Sequence, residues 1–212
     1  MKIMLVDDHA VVRTGFRLLL QACADIEVVA EADSGEAACQ MYEAAAPDVV
    51  VMDIAMAGMG GIEAIKRLLA KNSHARILAL SAHEDTSHPK RALQAGALGY
   101  LSKRSAPEVL IEAIRLIAKG QRYLDAQIAQ RMAVQDLTGK HGPMEKLSAR
   151  EFEVFVQLAH GQSVAQISET LALSSSTVGT HLYNIKQKLG LVNQAEMALL
   201  AVRHGLIDVA AG

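Results

Sequence analysis

The sequence predicts an α/β fold for residues 1–120, a doubly wound five-stranded parallel sheet, followed by an all-α domain at residues 144–212. The first observation is that five short apolar runs alternate with helix-like segments up to residue 120. The second is that these runs are almost continuously apolar, which is typical of parallel strands buried on both faces by helices. The third is that only helical spacing follows residue 144. Together they predict two domains of different class.

The predicted strands are 3–6, 26–30, 49–52, 77–80 and 97–101. In a doubly wound sheet the functional crevice lies at the carboxyl ends of the strands. Polar and charged residues follow four of the five strands at that end: Asp7, Asp8, Asp53, Ser81 and Lys103. We therefore expect a functional site at this edge of the sheet.

Residues 121–143 are predicted to be a linker helix followed by a flexible linker. The segment LDAQIAQRMAVQDL has apolar residues at helical intervals, and the polar stretch TGKHGPMEK then supplies glycine and proline breakers. Beyond it, helices are expected near 149–160, 164–171, 175–189 and 193–204. The pairs Ser148 with Glu151 and Ser163 with Gln166 have the spacing of capping boxes, which predict where the first two of these helices begin.

Composition predicts a globular protein that does not enter a membrane. The chain has 212 residues, of which 51% are hydrophobic and 21% charged, and no apolar run is long enough to cross a bilayer. Asp7 and Asp8 interrupt the apolar start of the chain before a signal peptide is formed, so we expect a cytoplasmic location.

The charge balance does not by itself indicate a nucleic-acid partner. The formal net charge is −2, and residues 144–212 contain five basic and six acidic side chains. Any contact with DNA in this segment would depend on local clustering of positive charge.

The three aspartates predict a metal-assisted phosphoryl site. Converging carboxylates repel one another unless a cation neutralises them, and Mg²⁺ prefers carboxylate, water and phosphate oxygens. Asp8 and Asp53 suit direct ligation, with Asp7 direct or acting through water, and Asp53 would attack a phosphoryl group to form an acyl phosphate. Lys103 would add a compact positive charge. The alternative is that each aspartate only caps the helix that follows it.

Four segments resemble the receiver domains of two-component response regulators, a CheY-like fold. They are VDDH at 6–9, VVVMDIAM at 49–56, LSAH at 80–83 and GALGYLSK at 96–103. The resemblance implies that Asp53 is the phosphoacceptor, Asp7 and Asp8 the acidic pair, the Ala55 carbonyl a metal ligand and Lys103 the phosphoryl-pairing lysine. It also implies that Ser81 and Tyr100 are the hydroxyl and aromatic switch residues, although Tyr100 is equally explained as a half-buried packing residue.

The chain departs from the receiver pattern in the loop after Asp53. The family usually has proline where this chain has Ala57 and commonly an acidic residue where it has Gly60. Glycine and alanine leave more backbone freedom than proline, so we expect a looser loop and an altered phosphoryl lifetime.

Residues 147–191 resemble the helix-turn-helix output domain of the NarL/FixJ (LuxR-type) regulators. The resemblance implies that the helix predicted at 175–189 enters the major groove of DNA. The residues expected to contact DNA are Ser174, Ser175, Ser176, Thr177, Thr180, His181, Tyr183, Asn184, Lys186 and Lys188, with His181 equally able to be a packing residue. Ser176 and Gly179 stand where the family often has basic residues, so weak intrinsic DNA affinity is expected.

A finer resemblance concerns GQRYL at 120–124 and IAQRMA at 128–133. These segments are similar to the global regulators of the Gac/Bar sensor pathway, which controls small RNAs.

The function expected is a phosphorylation-regulated transcription regulator, not an enzyme. A sensor histidine kinase would supply the phosphoryl group, and phosphorylation would promote a homodimer that binds two half-sites on double-stranded DNA. One alternative is an adaptor that receives phosphate and acts through protein contacts alone. Another is a phosphatase of the haloacid-dehalogenase type, but the second acid of its DxDxT motif is missing because Asp53 is followed by Ile54 and Ala55.

Overall fold

The computed structural model of the protein describes residues 1–56, 58–82, 87–138, 142–171, 173–204 and 206–207. The chain forms two compact units. The first holds residues 1–82 and 88–129, and the described residues from Gln130 onward belong to the second. The division expected at residues 120 and 143 stays a prediction.

The first unit contains a parallel sheet wrapped by helices, as predicted. Its elements in chain order are β1 (Lys2–Val6), α1 (Ala10–Gln21), β2 (Glu27–Ala32), α2 (Gly35–Ala45), β3 (Val49–Asp53), α3 (Gly60–Lys71), β4 (Ile77–Ser81), α4 (Ser87–Gln94), β5 (Gly99–Ser102), α5 (Pro107–Ala118) and β6 (Tyr123–Leu124). The strand order is β2-β1-β3-β4-β5-β6, and every pairing is parallel. The order reverses between β1 and β3, which is where such sheets carry their functional crevice.

The central strands are buried on both faces, which explains their continuous apolar sequences. All residues of β3 and β4 are buried. Leu5, Val51, Leu78 and Ile114 belong to one hydrophobic cluster that joins β1, β3 and β4 to α5. Burial of this apolar surface stabilises the sheet and places its carboxyl edge on a rigid base.

The prediction of five strands was wrong by one. Tyr123 and Leu124 form a sixth strand beside β5, with the Tyr123 N–H donating to the Leu98 carbonyl at 3.2 Å. A two-residue strand is too short to show a pattern in sequence. Gly99 lets β6 lie this close to β5, because a Cβ at position 99 would lie only 2.6 Å from the Tyr123 carbonyl oxygen.

Gly61 brings the start of α3 against the end of β3. A Cβ at Gly61 would lie 2.1 Å from the Asp53 carbonyl oxygen and 2.5 Å from the Ile54 Cα. These are backbone atoms, which cannot rotate away as a side chain can. Only glycine allows the chain to return so closely to the residue that ends β3.

The second segment is helical. It contains α6 (Ala126–Thr138), a short 3-10 helix (Pro143–Lys146), α7 (Ala149–Ala159), α8 (Val164–Thr170), α9 (Ser175–Leu189) and α10 (Gln194–Arg203). Helix α6 corresponds to the predicted linker helix and crosses the boundary between the two units. The four later helices lie within a few residues of their predicted bounds.

Local sequence determines where the helices of the second unit begin and end. Ser148 and Ser163 form the two predicted capping boxes, with Glu151 and Gln166 as their reciprocal partners. Gly190 ends α9 in the left-handed region at φ 66°. The core of this unit is a cluster of buried apolar side chains that includes Phe155, Ile167, Val178, Ile185 and Met197.

Among the helices that the structure describes, none is both long enough and apolar enough to traverse a lipid bilayer.

Replacing Gly61 by alanine tests the close approach of α3 to β3. We expect Gly61→Ala to lower the free energy of unfolding by about 2 kcal/mol, because the new methyl group overlaps fixed backbone. Gly15→Ala is the matched control: it also lies in a helix, but its Cβ would meet nothing within 4 Å. That change should raise the free energy of unfolding by about 0.5 kcal/mol through helix propensity. Urea denaturation followed by circular dichroism measures both, and equal effects at the two sites would contradict this account.

Candidate functional site

The predicted acidic residues meet at one edge of the sheet. Asp7 and Asp8 directly follow β1, Asp53 is the last residue of β3, and Lys103 directly follows β5. Because the three strands are parallel, their carboxyl ends lie at the same edge. The structure thus brings together residues that are up to 96 positions apart in the sequence.

Lys103 lies between two buried carboxylates. Its Nζ is 2.7 Å from Asp53 Oδ2 and 2.7 Å from Asp7 Oδ2. Asp7 is 3% exposed and Asp53 is 1% exposed. The Lys103 backbone N–H donates to the Ser81 carbonyl at 2.8 Å, which fixes the lysine to the end of β4.

The second oxygen of each buried aspartate is held by the backbone. The His9 N–H donates to Asp7 Oδ1 at 2.9 Å, and the Ala55 N–H donates to Asp53 Oδ1 at 3.1 Å. Each bond joins residues two positions apart and orients the side chain from the turn that follows its strand. The Oδ2 atoms consequently face Lys103.

Electrostatics in this pocket favours an additional cation. Burial raises the pKa of Asp53 above its usual range, and the attraction of Lys103 offsets this only in part. Burial lowers the pKa of Lys103, but the charge and hydrogen bond of Asp53, together with Asp7, outweigh that effect and raise it. The lysine therefore stays charged, and a further cation beside Asp53 would lower the pKa of that carboxyl group toward its usual range.

The pocket has the oxygen atoms that a hard divalent cation requires. Asp7, Asp8, His9 and Asp53 each offer one ligand atom, and these atoms all lie within 4.8 Å of one another. Asp7 Oδ2 is buried and contacts the Lys103 ammonium group at 2.7 Å, and a carboxylate oxygen has a second lone pair that can bind a further ligand. The three carboxylates fit a magnesium ion, which prefers oxygen ligands.

His9, which was not predicted as a site residue from the sequence, lies beside the acidic pair. Its ring Nδ1 is 2.8 Å from Asp8 Oδ1, and its side chain is largely exposed. Its position directly after the acidic pair was the only available signal. Imidazole is a poor ligand for a hard cation, so we assign it to orienting Asp8.

Ser81 and Tyr100 are fully buried near the same edge. Ser81 ends β4, Tyr100 lies in β5, and each is 0% exposed. The expectation of a half-buried ring at Tyr100 is therefore wrong, because the tyrosine lies entirely inside the unit. Ala55 is exposed two residues after Asp53. Ala57, whose difference from proline predicted a looser loop, lies outside the described residues.

The predicted DNA-contacting residues are all on α9 or at its N-cap. Ser174, Ser175, Ser176, Thr180 and Tyr183 are exposed. Thr177, His181, Asn184 and Lys186 are half-buried. The ring Nδ1 of His181 is buried, and within the described part of the chain it has no hydrogen-bond partner. That buried nitrogen favours packing over phosphate contact for His181.

Hydroxyl groups at the start of α9 are already engaged within the helix cap. Ser174 Oγ accepts the Thr177 N–H at 3.1 Å and lies 2.8 Å from the hydroxyls of Ser176 and Thr177. Ser168 Oγ lies 3.2 Å from Ser175 Oγ. These bonds fix the amino end of α9 to its own cap and to α8.

Lys188 makes an ion pair inside the second unit. Its Nζ is 2.5 Å from Glu151 Oε2, and the Glu151 side chain is only 5% exposed. Burial raises the pKa of Glu151, but hydrogen bonds from Lys188 and Ser148 outweigh this and lower it. The pair connects the last turn of α9 to the capping box of α7. Sequence analysis missed it because the two residues are 37 positions apart.

Comparison with known families accounts for both units. Residues 3–115 match the response regulator receiver domain, and residues 145–201 match the bacterial regulatory proteins of the luxR family. The chain belongs to the LuxR-type two-component response regulators. Its function is to regulate transcription by binding DNA, and it carries a receiver domain for that regulation. The predicted resemblance to the NarL/FixJ regulators is confirmed.

Similar proteins cover almost the whole chain of this response regulator. It is 40% identical over 212 residues to the response regulator GacA of Pseudomonas syringae pv. syringae, covering 99% of each chain. It is 40% identical over 208 residues to the response regulator UvrY of Escherichia coli K12, covering 97% of this chain and 95% of the relative. The predicted similarity to the Gac/Bar-pathway regulators is thereby confirmed.

A solved structure shows the same fold. RcsB from Salmonella enterica serovar Typhimurium, bound to promoter rprA in the presence of phosphomimetic BeF3-, aligns with a TM-score of 0.73 at 24% identity. The alignment covers 94% of this chain and 97% of RcsB.

Replacing Lys188 by methionine tests the internal ion pair. We expect Lys188→Met to lower the free energy of unfolding of the second unit by about 1 kcal/mol, because a buried carboxylate loses a charged partner that is itself partly screened by solvent. Lys186→Met is the control, since no ion pair to Lys186 is found among the described residues. Urea denaturation at neutral pH compares the two, and an equal loss in both variants would contradict the assignment.

The same pair predicts a pH dependence. The pKa of Glu151 is lower in the folded protein, so its stabilising contribution is present above the ordinary carboxyl range and is lost as the pH falls through the lowered folded pKa. Denaturation midpoints measured from neutral to acid pH should fall less steeply in Glu151→Gln than in the native chain. Parallel curves would show that Glu151 does not contribute.

Proposed function

We propose that Asp53 is the phosphoacceptor of this response regulator. The observation that carries the proposal is the position of Lys103 Nζ, 2.7 Å from both Asp53 and Asp7 in a buried pocket. A carboxylate oxygen of Asp53 attacks the phosphorus atom of a donor, an acyl phosphate forms, and the bond to the leaving group breaks with its electron pair. The Lys103 ammonium group offsets negative charge on the phosphoryl oxygens.

Asp7, Asp8, Asp53 and the Ala55 carbonyl are the proposed ligands of Mg²⁺. When bound, the ion neutralises charge on the transferring phosphoryl group. Asp7 and Asp8 are oriented for this by the turn after β1, where the His9 backbone and ring contact them. The raised pKa of Asp53 supports the same conclusion, because a nearby cation would favour the ionised nucleophile.

Ser81 and Tyr100 are the proposed switch residues. The hydroxyl of Ser81 would hydrogen-bond a phosphoryl oxygen on Asp53, and Tyr100 would fill the space that the Ser81 movement releases. Support comes from their burial and from the pairing of β4 with β3 on one side and β5 on the other. A change at Ser81 therefore reaches both neighbouring strands.

This regulator is proposed to be cytoplasmic, with a sensor histidine kinase and double-stranded DNA as its partners. Phosphorylation would promote a homodimer, which places two copies of α9 on half-sites about one helical turn apart. The RcsB structure with promoter DNA and a phosphomimetic supports this reading by analogy of fold. The proposed DNA-contacting residues are Ser174, Ser175, Ser176, Thr177, Thr180, Tyr183, Asn184 and Lys186. His181 and Lys188 are proposed to contribute less, because the His181 Nδ1 is buried and Lys188 is paired with Glu151.

One observation favours the adaptor alternative in part. Lys188 is paired with Glu151, so one of the few positive charges of this segment is neutralised within the domain. Each phosphate contact contributes to affinity mainly by releasing counterions, and a paired lysine releases fewer. Weak binding by the single domain is the consequence we expect, and dimerisation would double the number of contacts.

Labelling by a small phosphoryl donor tests the acceptor. We expect the native chain to be modified by acetyl phosphate with Mg²⁺ and not after the metal is removed by a chelator, because the pocket needs the cation for the transfer. Asp53→Asn should remain unmodified under both conditions. Phosphate-affinity electrophoresis measures the product, and label retained by Asp53→Asn would refute the assignment. Turnover of a small phosphate ester by the native chain would indicate a phosphatase instead.

Salt dependence of DNA binding tests the role of the lysines. We expect Lys186→Ala to reduce the slope of log K against log salt by about one per protomer, whereas Lys188→Ala should change it much less because Lys188 is already paired. Gel shifts on DNA from the chain's own genomic neighbourhood, with and without beryllofluoride, measure this. An absence of retardation at low salt in both states would favour the adaptor.

A further inference from the structure

We propose that Glu36 is a positioning residue that holds the phosphoacceptor loop and thereby sets the rate at which Asp53 is phosphorylated. The proposal rests on the proposed role of Asp53. Glu36 lies in the first turn of α2, half-buried, and its Oε1 accepts the backbone N–H of Met59 at 2.8 Å. The bond links two segments that are 23 residues apart, and Met59 is the residue directly before α3.

The glutamate fits closely against the loop. Gly58 has a φ of +73°, and a Cβ at this position would lie 3.0 Å from Glu36 Oε1 and 3.3 Å from Oε2. A side chain at Gly58 would therefore crowd the carboxylate, which would have to move by a few tenths of an ångström. The glycine allows both the left-handed turn and the approach of Glu36.

The anchored turn leads directly to Asp53. Two residues after Met59, the Gly61 N–H donates to the Ile54 carbonyl at 3.3 Å. A Cβ at Gly61 would overlap the Asp53 carbonyl oxygen, so the start of α3 touches the backbone of the acceptor. A displacement of Met59 is consequently transmitted to Asp53 and Ile54 through backbone that has no room to adjust.

The start of α2 is itself fixed against α3. A Cβ at Gly35 would lie 3.0 Å from the Ala64 Cβ and 3.3 Å from the Gly60 carbonyl oxygen. Glu36 therefore projects from a firmly packed turn. Gly60 has a φ of +70°, a conformation that favours glycine, and the looser loop expected from the sequence stays a prediction. The Glu36 bond is a restraint on the same loop.

A general helix effect would give a different result from an anchor. A glutamate in the first turn of any helix interacts favourably with the helix dipole. Glu108 occupies this position in α5, where it is exposed, and serves as the matched control. Glutamine at position 36 keeps an oxygen that can accept the Met59 N–H but loses the charge that the dipole requires.

The experiment compares full-length native protein, Glu36→Ala, Glu36→Gln and Glu108→Ala. Rates of acetyl-phosphate labelling with Mg²⁺ are measured by phosphate-affinity electrophoresis, and exchange of the Met59 amide is measured by NMR. We expect Glu36→Ala to be labelled about ten-fold more slowly, which corresponds to the loss of one hydrogen bond of about 1.4 kcal/mol. Its Met59 amide should exchange faster. Glu36→Gln and Glu108→Ala should stay within about two-fold of native, since neither loses the acceptor oxygen.

Three outcomes would overturn the proposal. Native labelling rates in Glu36→Ala would show that the anchor does not influence the acceptor. Equal losses in Glu36→Gln and Glu36→Ala would assign the effect to charge, and an equal loss in Glu108→Ala would assign it to helix stability. If Glu36→Ala does not fold, the exchange rate of the Met59 amide in Glu36→Gln tests the proposal. An amide that exchanges as slowly as in the native protein supports the anchor, and one that exchanges faster overturns it. Failure of the proposed function is distinguishable, because native protein would then not be labelled at Asp53.

Discussion

The contact of Lys103 with Asp7 and Asp53 is the interaction on which the site depends. Two carboxylates buried together repel each other, and burial of a charge is costly unless it is paired. The ammonium group between them offsets both effects, and backbone N–H groups hold the remaining oxygens. Burial nevertheless raises the pKa of Asp53 above its usual range. A pocket that holds two buried carboxylates beside one ammonium group is suited to a divalent cation and to phosphoryl chemistry.

Glycine makes the scaffold around this pocket possible. Gly61 lets α3 begin against the backbone of Asp53, and Gly99 lets β6 pair beside β5. At Gly58 the missing side chain leaves room for the Glu36 carboxylate. The loop after the phosphoacceptor is therefore held through close contacts and one hydrogen bond. The flexibility of this loop therefore depends on its contacts with neighbouring segments as well as on its own amino-acid composition.

The second unit combines a stable core with a weakly charged surface. Helix α9 presents hydroxyl, tyrosine and lysine side chains, but Lys188 is used to connect α9 to α7. Such a domain keeps the geometry of a DNA-reading helix while it has few charges to contact phosphates. Because affinity depends steeply on the number of phosphate contacts, doubling them in a dimer has a large effect.

Patterns that act over a few residues were readable from the sequence alone. Continuous apolar runs predicted the parallel strands, capping boxes at Ser148 and Ser163 predicted two helix starts, and the motifs around Asp53 predicted the family. Contacts between distant residues were decided only by the tertiary structure: the strand at Tyr123, the Lys188 to Glu151 pair and the bond from Met59 to Glu36. The reason is physical, because strand alternation and helix caps are local, whereas these contacts depend on which segments the packed core brings together.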